Sequence, residues 1–190
     1  MQLNEHAIVA VILAGGQGRR IGGEKAQVLL GGKPLWRHVA DRVAPQVSGL
    51  AVNAATPMED QEVIADAVAD LGPLGGILAA MNWAEAKGAS RVLTVAVDTP
   101  FLPLDLVTRL RDVSGPVAMA ETSDGLHGTT ALWDVSLAPD LEAWLEGGGR
   151  KVTQWAMSHE VTRVHFADTI PPGFFNVNTP QDLTRAEAWL

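Results

Sequence analysis

The chain has no cysteine among its 190 residues, which excludes disulfides, thiolate nucleophiles and cysteine-based zinc sites. It is short of positive charge: 14 lysines and arginines stand against 22 aspartates and glutamates, a net charge of −8. That balance argues against a nucleic-acid coat or an anionic membrane surface as the main partner. No apolar run reaches the roughly 18 residues that a membrane helix needs. The opening residues, MQLNEHAIVAVILAGG, have no basic leader, carry Glu5 and run into glycines where a secretory signal has its cleavage site. The expectation is a cytoplasmic protein that engages neither nucleic acid nor membrane. Internal repeats, low-complexity tracts and dividing linkers are missing as well. One domain over residues 1–190 is therefore expected, long enough to bury a full core. With 47% apolar and 19% charged residues, it reads as globular.

Apolar runs and helical spacing outline the elements. Residues 7–13 and 91–97 (RVLTVAV) read as strands buried on both faces, because they are β-rich and do not alternate. Residues 49–53 form a shorter strand. Residues 34–47 have Leu35, Val39 and Val43 at helical spacing, with Pro34 suited to a first turn. Residues 59–69 read as weakly helical or irregular, residues 72–76 as a turn, and residues 75–86 and 104–112 as helices. Residues 116–121 and 129–133 read as strands around a polar turn, Ser123-Asp124-Gly125. Helices at 137–145 and 151–157, a strand at 161–166 and a terminal helix at 180–190 follow, the last with Thr179 as N-cap and Asp182 at its third position. The alternation in the first half implies a parallel sheet covered by helices. The expected class is α/β, a Rossmann-like three-layer sandwich. Its central sheet is mostly parallel, with a mixed or antiparallel portion added in the C-terminal half.

The chemistry concentrates where the first strand ends. LAGGQGRRIGGEK, residues 13–25, holds five glycines and three basic residues. A loop between a parallel strand and its helix lies at the carboxyl edge of the sheet, where such folds bind ligands. Glycines there bring backbone N–H groups close to phosphate oxygens, and Arg20 and Lys25 add charge that a polyphosphate neutralises. A plain tight turn is the alternative use of such glycines. A Walker loop does not fit, since Ala26 follows Lys25 without the required spacing. The dinucleotide fingerprint fails too. Its third glycine position is Ile21, and Asn53 stands where its acid belongs. Asp98 ends the second long strand at the same sheet edge. A carboxylate there suits Mg2+ held against a triphosphate, and it equally suits capping the turn at Thr99-Pro100.

LAGGQGRRIGGEK resembles the L-A-G-G-x-S-x-R-M-G-x-x-K signature of nucleotidyltransferases with the sugar-nucleotide transferase fold. The double glycine after the arginine, GKPLWRHV, VNA, GPLGGI, VDTPFLP, GRKVTQW and NVNTPQDL narrow the resemblance to the molybdenum cofactor guanylyltransferases, the MobA family, over residues 11–183. The resemblance implies transfer of GMP from GTP to the terminal phosphate of molybdenum-molybdopterin, with pyrophosphate released. Related nucleotidyltransferases pair CTP with molybdopterin, or an NTP with a sugar phosphate or phospholactate. A non-catalytic pterin-delivery protein is a rival of another kind.

By the same resemblance Arg20, Lys25 and Asp98 are catalytic. Leu13, Ala14, Gly15, Gly16, Lys25, Asn53, Asp66, Gly72 and Asp98 bind nucleotide, with Asp70 the rival of Asp66 as reader of the base. Asp98 is the metal ligand, for Mg2+ or Mn2+. Arg150, Lys151, Asn176 and Asn178 contact the pterin substrate. The six tryptophans are mostly at helical spacing and read as packing residues, with Trp155, near the second site, the one that could serve otherwise. Residues 1–110, approximately, hold nucleotide and residues 111–190 the pterin. Transient partners are molybdenum-insertion or delivery proteins and apo-molybdoenzymes. Two departures from the pattern stand out. GGEK is one residue shorter than usual and carries Glu24 for aspartate, and Gly18 replaces a small hydroxyl residue.

Overall fold

Strand β1 (Ile8–Leu13) is central because both of its faces are apolar. Ile8, Ala10 and Ile12 are buried on one side of the sheet, Val9, Val11 and Leu13 on the other. The computed structural model describes residues 7–15, 24–58, 60–66 and 71–190. A short 3-10 turn at Lys25–Gln27 leads into a two-strand antiparallel ribbon, β2 (Leu29–Leu30) and β3 (Lys33–Pro34). The ribbon turns on Gly31 and Gly32, at φ of 57° and 80°, a backbone region that favours glycine. Helix α1 (Leu35–Val43) buries Leu35, Trp36, Val39, Ala40 and Val43 along one stripe. It stops sooner than its spacing predicts, because Pro45 enters a 3-10 turn at Ala44–Gln46.

Strand β4 (Leu50–Asn53) pairs in parallel with β5 (Glu62–Ile64). Here the expectation of a weakly helical or irregular segment over 59–69 is corrected at residues 62–64: a three-residue edge strand is too short to show a period. Helix α2 (Pro73–Ala86) begins two residues before the expected start, with Pro in its first turn. Next come β6 (Arg91–Ala96), α3 (Leu106–Arg111) and the hairpin of β7 (Val117–Thr122) and β8 (Gly125–Asp134). The chain closes with α4 (Ala138–Glu146), α5 (Val152–Ala156), β9 (Val161–His165) and α6 (Pro180–Glu187).

The seven-stranded sheet has the order β5-β4-β1-β6-β8-β7-β9. Within this sheet, among the described strands, only β8 runs against its neighbours, so the sheet is mostly parallel with an antiparallel insertion in the second half. Helices α1 and α3 cover one face and α2, α4 and α5 the other, which gives three layers. A smaller cluster of Leu30, Leu35, Phe101, Val177 and Ala186 joins the ribbon to α6. Two polar side chains are paired inside the sheet: Trp133 Nε1 donates to Thr94 Oγ1 at 2.8 Å, and Thr94 donates to the Thr129 carbonyl at 3.0 Å. No helix among the described residues is long and apolar enough to cross a membrane.

Register sets the position of the site. Leu13 lies opposite Asn53 on one side and Ala96 on the other. The ends of β1, β4 and β6 therefore emerge together at the carboxyl edge of the sheet, where open α/β folds hold ligands.

Candidate active site

Asp98 reaches this edge just beyond β6. Val97 still donates to the Leu13 carbonyl at 3.1 Å, which prolongs the sheet by one residue. The turn that follows is capped by Thr99, whose hydroxyl donates to the Ala96 carbonyl at 2.9 Å. The Asp98 carboxylate is thus spared from capping. It takes an ion pair from Lys25 instead, Nζ to Oδ2 at 2.6 Å, and the two side chains are only 15% and 13% exposed. Such a sheltered pair is held in lower dielectric than a surface one.

Two asparagines complete the cluster. Val177 is fully buried, and its N–H donates to the Asp98 carbonyl at 2.9 Å. Its neighbours Asn176 and Asn178 therefore both reach the charged pair. Lys25 Nζ donates to Asn178 Oδ1. The Asn176 amide, oriented by its partners, donates to the two Asp98 oxygens at 3.2 and 3.3 Å. Asn178 is held in turn by α6: its N–H donates to Asp182 Oδ2 at 3.1 Å, and Thr179 and Asp182 form a reciprocal capping box. The Thr179 hydroxyl hydrogen bond, and the N–H groups of Asn178 and Thr179, hold the Asp182 carboxyl below its usual range, against a smaller opposing effect of burial.

Lys25 is placed by its own neighbours. Ala26 is buried beneath it, and Glu24 accepts a hydrogen bond from the Thr56 hydroxyl at 2.5 Å. From this position the lysine reaches Asp98.

A pocket of about 200 Å3 opens beside this pair, lined by Gly15, Lys25, Asn53, Gly72, Asp98 and Thr129 among others. Leu13 also lines it, and Ala14 anchors the loop by donating to the Asn53 carbonyl at 2.9 Å. On its far wall Asn53, 2% exposed, donates to Asp66 Oδ1 at 2.9 Å and to the Ile64 carbonyl at 3.3 Å. Asp66 itself is exposed. Bare backbone is required here. A Cβ on Gly76 would stand 2.5 Å from Asn53 Oδ1 and 3.0 Å from Leu13 Cδ2. Gly72 sits at φ 61°, ψ −147°, a region open to little but glycine, just before the N-terminus of α2.

The structure brings together Leu13, Gly15, Lys25, Asn53, Gly72, Asp98, Asn176 and Asn178, with Ala14 and Asp66 one contact away. Gly16, Arg20 and Asp70 lie outside the described residues. Arg150 and Lys151 do not line this pocket. The Arg150 guanidinium donates to the Leu145 and Gly149 carbonyls at 3.1 and 2.6 Å, closing the glycine-rich end of α4, and Lys151 is the exposed N-cap of α5. Trp155 is a core residue: it is fully buried against Trp133 and donates to Asp140 at 2.8 Å. Thr129 and the close approach of Gly76 were not legible beforehand. A threonine inside a strand and a second glycine in a turn carry no distinguishing pattern.

No cluster of three or more His, Asp or Glu side chains exists among the described residues, so a metal here would rely on Asp98 alone as protein anion. That donor set fits Mg2+, which takes one or two carboxylates and completes its shell with phosphate oxygens and water. The Lys25 ammonium is the cation that Asp98 holds in this structure.

The family described as MobA-like NTP transferase domain matches residues 10–162. A protein from Cereibacter sphaeroides named molybdenum cofactor guanylyltransferase is 43% identical over 189 residues, covering 96% of this chain and 97% of that one. One of the same name from Rhizobium leguminosarum bv. trifolii is 44% identical over 195 residues, covering 96% and 93%. The crystal structure of molybdopterin-guanine dinucleotide biosynthesis protein A from Archaeoglobus fulgidus superposes with a TM-score of 0.77 at 28% identity, over 95% of this chain and 97% of that one.

Proposed function

The chain belongs to the MobA-like NTP transferase family, and from that premise we propose that it transfers GMP from GTP to the terminal phosphate of molybdenum-molybdopterin, forming the guanine dinucleotide cofactor. The observation that carries this reading is the convergence of Lys25, Asp98, Asn176 and Asn178 at the edge of a pocket whose far wall is the Asn53–Asp66 pair. One end offers charge for phosphates. The other offers a carboxylate to the N1–H and 2-amino donors of guanine. The N-terminal half, about residues 1–110, holds the nucleotide, and residues 111–190 hold the pterin.

The reaction needs little acid–base chemistry. An oxygen of the acceptor's phosphate monoester, already an anion, forms a bond to the α-phosphorus of GTP. The bond from that phosphorus to the bridging oxygen breaks, and pyrophosphate leaves with the electron pair. Catalysis then reduces to alignment and to neutralisation of charge. Lys25, drawn from Asp98 to the incoming phosphates, offsets charge on the α-phosphate and the leaving pyrophosphate, and Arg20 is assigned the same task. Asn178 keeps Lys25 at the junction of the two substrates. Asp98, with the Asn176 and Asn178 amides beside it, would hold Mg2+, or Mn2+ in its place, which supplies further charge neutralisation at the phosphates. The product must pass to the enzyme that uses it, so transient contacts with insertion or delivery proteins and apo-molybdoenzymes belong to the proposal, as does a cytoplasmic location.

The test is anaerobic incubation of the purified protein with MgGTP and molybdenum-molybdopterin, followed by mass analysis of the pterin product and assay of pyrophosphate. The dinucleotide and pyrophosphate are expected in equal amounts. Pyrophosphate without dinucleotide, or neither, would overturn the reading.

A further inference from the structure

We propose that Thr94 is a positioning residue for the nucleotide pocket: its hydroxyl pins a four-residue bulge of β8, residues 127–130, so that Thr129 stands in the pocket wall. This rests on the guanylyl-transfer reading and adds to it a residue that does not itself line the site.

Thr94 is the one polar residue in VLTVAV, residues 92–97, and it is fully buried. Valine has the same shape and no polar group to desolvate, whereas a buried hydroxyl is unfavourable unless it is hydrogen-bonded. The Thr94 hydroxyl has two such bonds. Trp133 Nε1 donates to it at 2.8 Å. An indole N–H can only donate, so the hydroxyl accepts there, and its own proton goes to the Thr129 carbonyl 3.0 Å away. Both directions are thereby fixed.

Those bonds fall where the sheet comes apart. The ladder between β6 and β8 ends at the pair Thr94–Ala131. Strand β6 runs on beside β1 as far as Ala96, without β8. On the other edge of β8, Ala131 faces Met119 and Leu126 faces Glu121, so Ala120 alone stands opposite residues 127–130. That segment has left the ladders on both sides. Bulges beside active sites re-aim side chains. Thr94 donates to Thr129, two residues beyond the last pair, and so ties the bulge to β6 by a side chain where the backbone ladder has ended.

The bulge matters because of what it borders. Thr129 lines the nucleotide pocket together with Ala96, Val97 and Asp98 from the end of β6. Continued in register, the ladder would pair Ala96 with Thr129 and close the space between them. On its other side the bulge rests on α5: a Cβ on Gly128 would meet Thr153 Cγ2 at 3.2 Å and Val152 Cβ at 3.6 Å. Packing holds it from that side and the Thr94 hydroxyl from the other. Removing the hydroxyl leaves the Thr129 carbonyl without this donor and the Trp133 N–H without its acceptor. Thr129 then loses the tie that sets its place in the wall.

The test separates positioning from core stability. Thr94→Val keeps the shape and removes the hydroxyl, and Thr94→Ser keeps the hydroxyl. Trp133→Phe removes only the indole donor and leaves Thr94 free to donate to Thr129. Affinity for MgGTP is measured by calorimetry well below each variant's Tm, and amide hydrogen exchange over residues 127–130 is followed without nucleotide. Thr94→Val is expected to bind MgGTP about tenfold more weakly and to exchange faster over 127–130. Thr94→Ser and Trp133→Phe are expected to match wild type in both, whatever their Tm. Thr129→Ala, at a half-buried position, is expected to weaken MgGTP binding as Thr94→Val does, and it carries the test if Thr94→Val does not fold. Wild-type affinity in Thr94→Val or in Thr129→Ala, or equal weakening by Trp133→Phe, would overturn the positioning role and leave guanylyl transfer standing. Failure of the wild-type protein to bind MgGTP would overturn both.

Discussion

Asp98 and Lys25 hold each other at 2.6 Å with their charges sheltered, so each has a partner until phosphates arrive. Removing either leaves the other uncompensated and strips charge from the reacting phosphates. We expect Asp98→Asn and Lys25→Ala to lower guanylyl transfer by about 10²- to 10³-fold, the scale of losing one preorganised electrostatic group, while the fold is retained. Single-turnover assays with circular dichroism check this, and near-normal turnover by Asp98→Asn would remove it from the phosphate site. Gly76 acts differently, through the space it leaves. Gly76→Ala places a Cβ against Asn53 Oδ1 and should raise KM for GTP about tenfold with a smaller effect on kcat. Asp98 was legible in the sequence because a carboxylate ending a buried strand is conspicuous. The role of Gly76 was not, since it depends on how near α2 comes to the end of β4.

The turn into α6 shows how an element reaches the chemistry. Its capping box fixes Asn178, which in turn receives Lys25. Thr179→Ala should cost about 1 kcal/mol and lower Tm by about 2–4 °C, read by thermal melting. It should also weaken transfer, because Asn178 loses its anchor. Asp182 adds a pH dependence of known sign. Its carboxyl is held below the ordinary value near 3.9, so its contribution is present above that pH and is lost as pH falls through the lowered folded value. Asp182→Asn should therefore flatten the fall in Tm between about pH 5 and pH 3; an unchanged slope would remove the cap from the acid response. The capping box could be read from TPQD directly, because its partners are three residues apart. Strand β5 and the β2–β3 ribbon could not, since two or three residues form no period and depend on pairing with distant chain.

In the molecule as a whole, one sheet edge gathers the candidate site. Parallel strands β4, β1 and β6 bring Asn53, Gly15 and Asp98 to one edge, and the reversed β8 carries Thr129 into the same pocket. The parallel half was legible from two uninterrupted apolar runs, β1 and β6. The order of the second half was not, because β8 inserts between β6 and β7 out of chain sequence. Arg150 and Lys151 are conspicuous in the sequence as charges beside glycines, yet neither lines the pocket beside Asp98. The most direct measurement is a nucleotide panel. Purified protein, Mg2+ and molybdopterin are incubated with GTP, CTP, ATP or UTP in turn, and pyrophosphate release is recorded for wild type and Asp66→Ala. Release with GTP alone, and loss of that preference in Asp66→Ala, is the predicted result. Release with CTP in place of GTP, or no release with any of the four nucleotides, would contradict it.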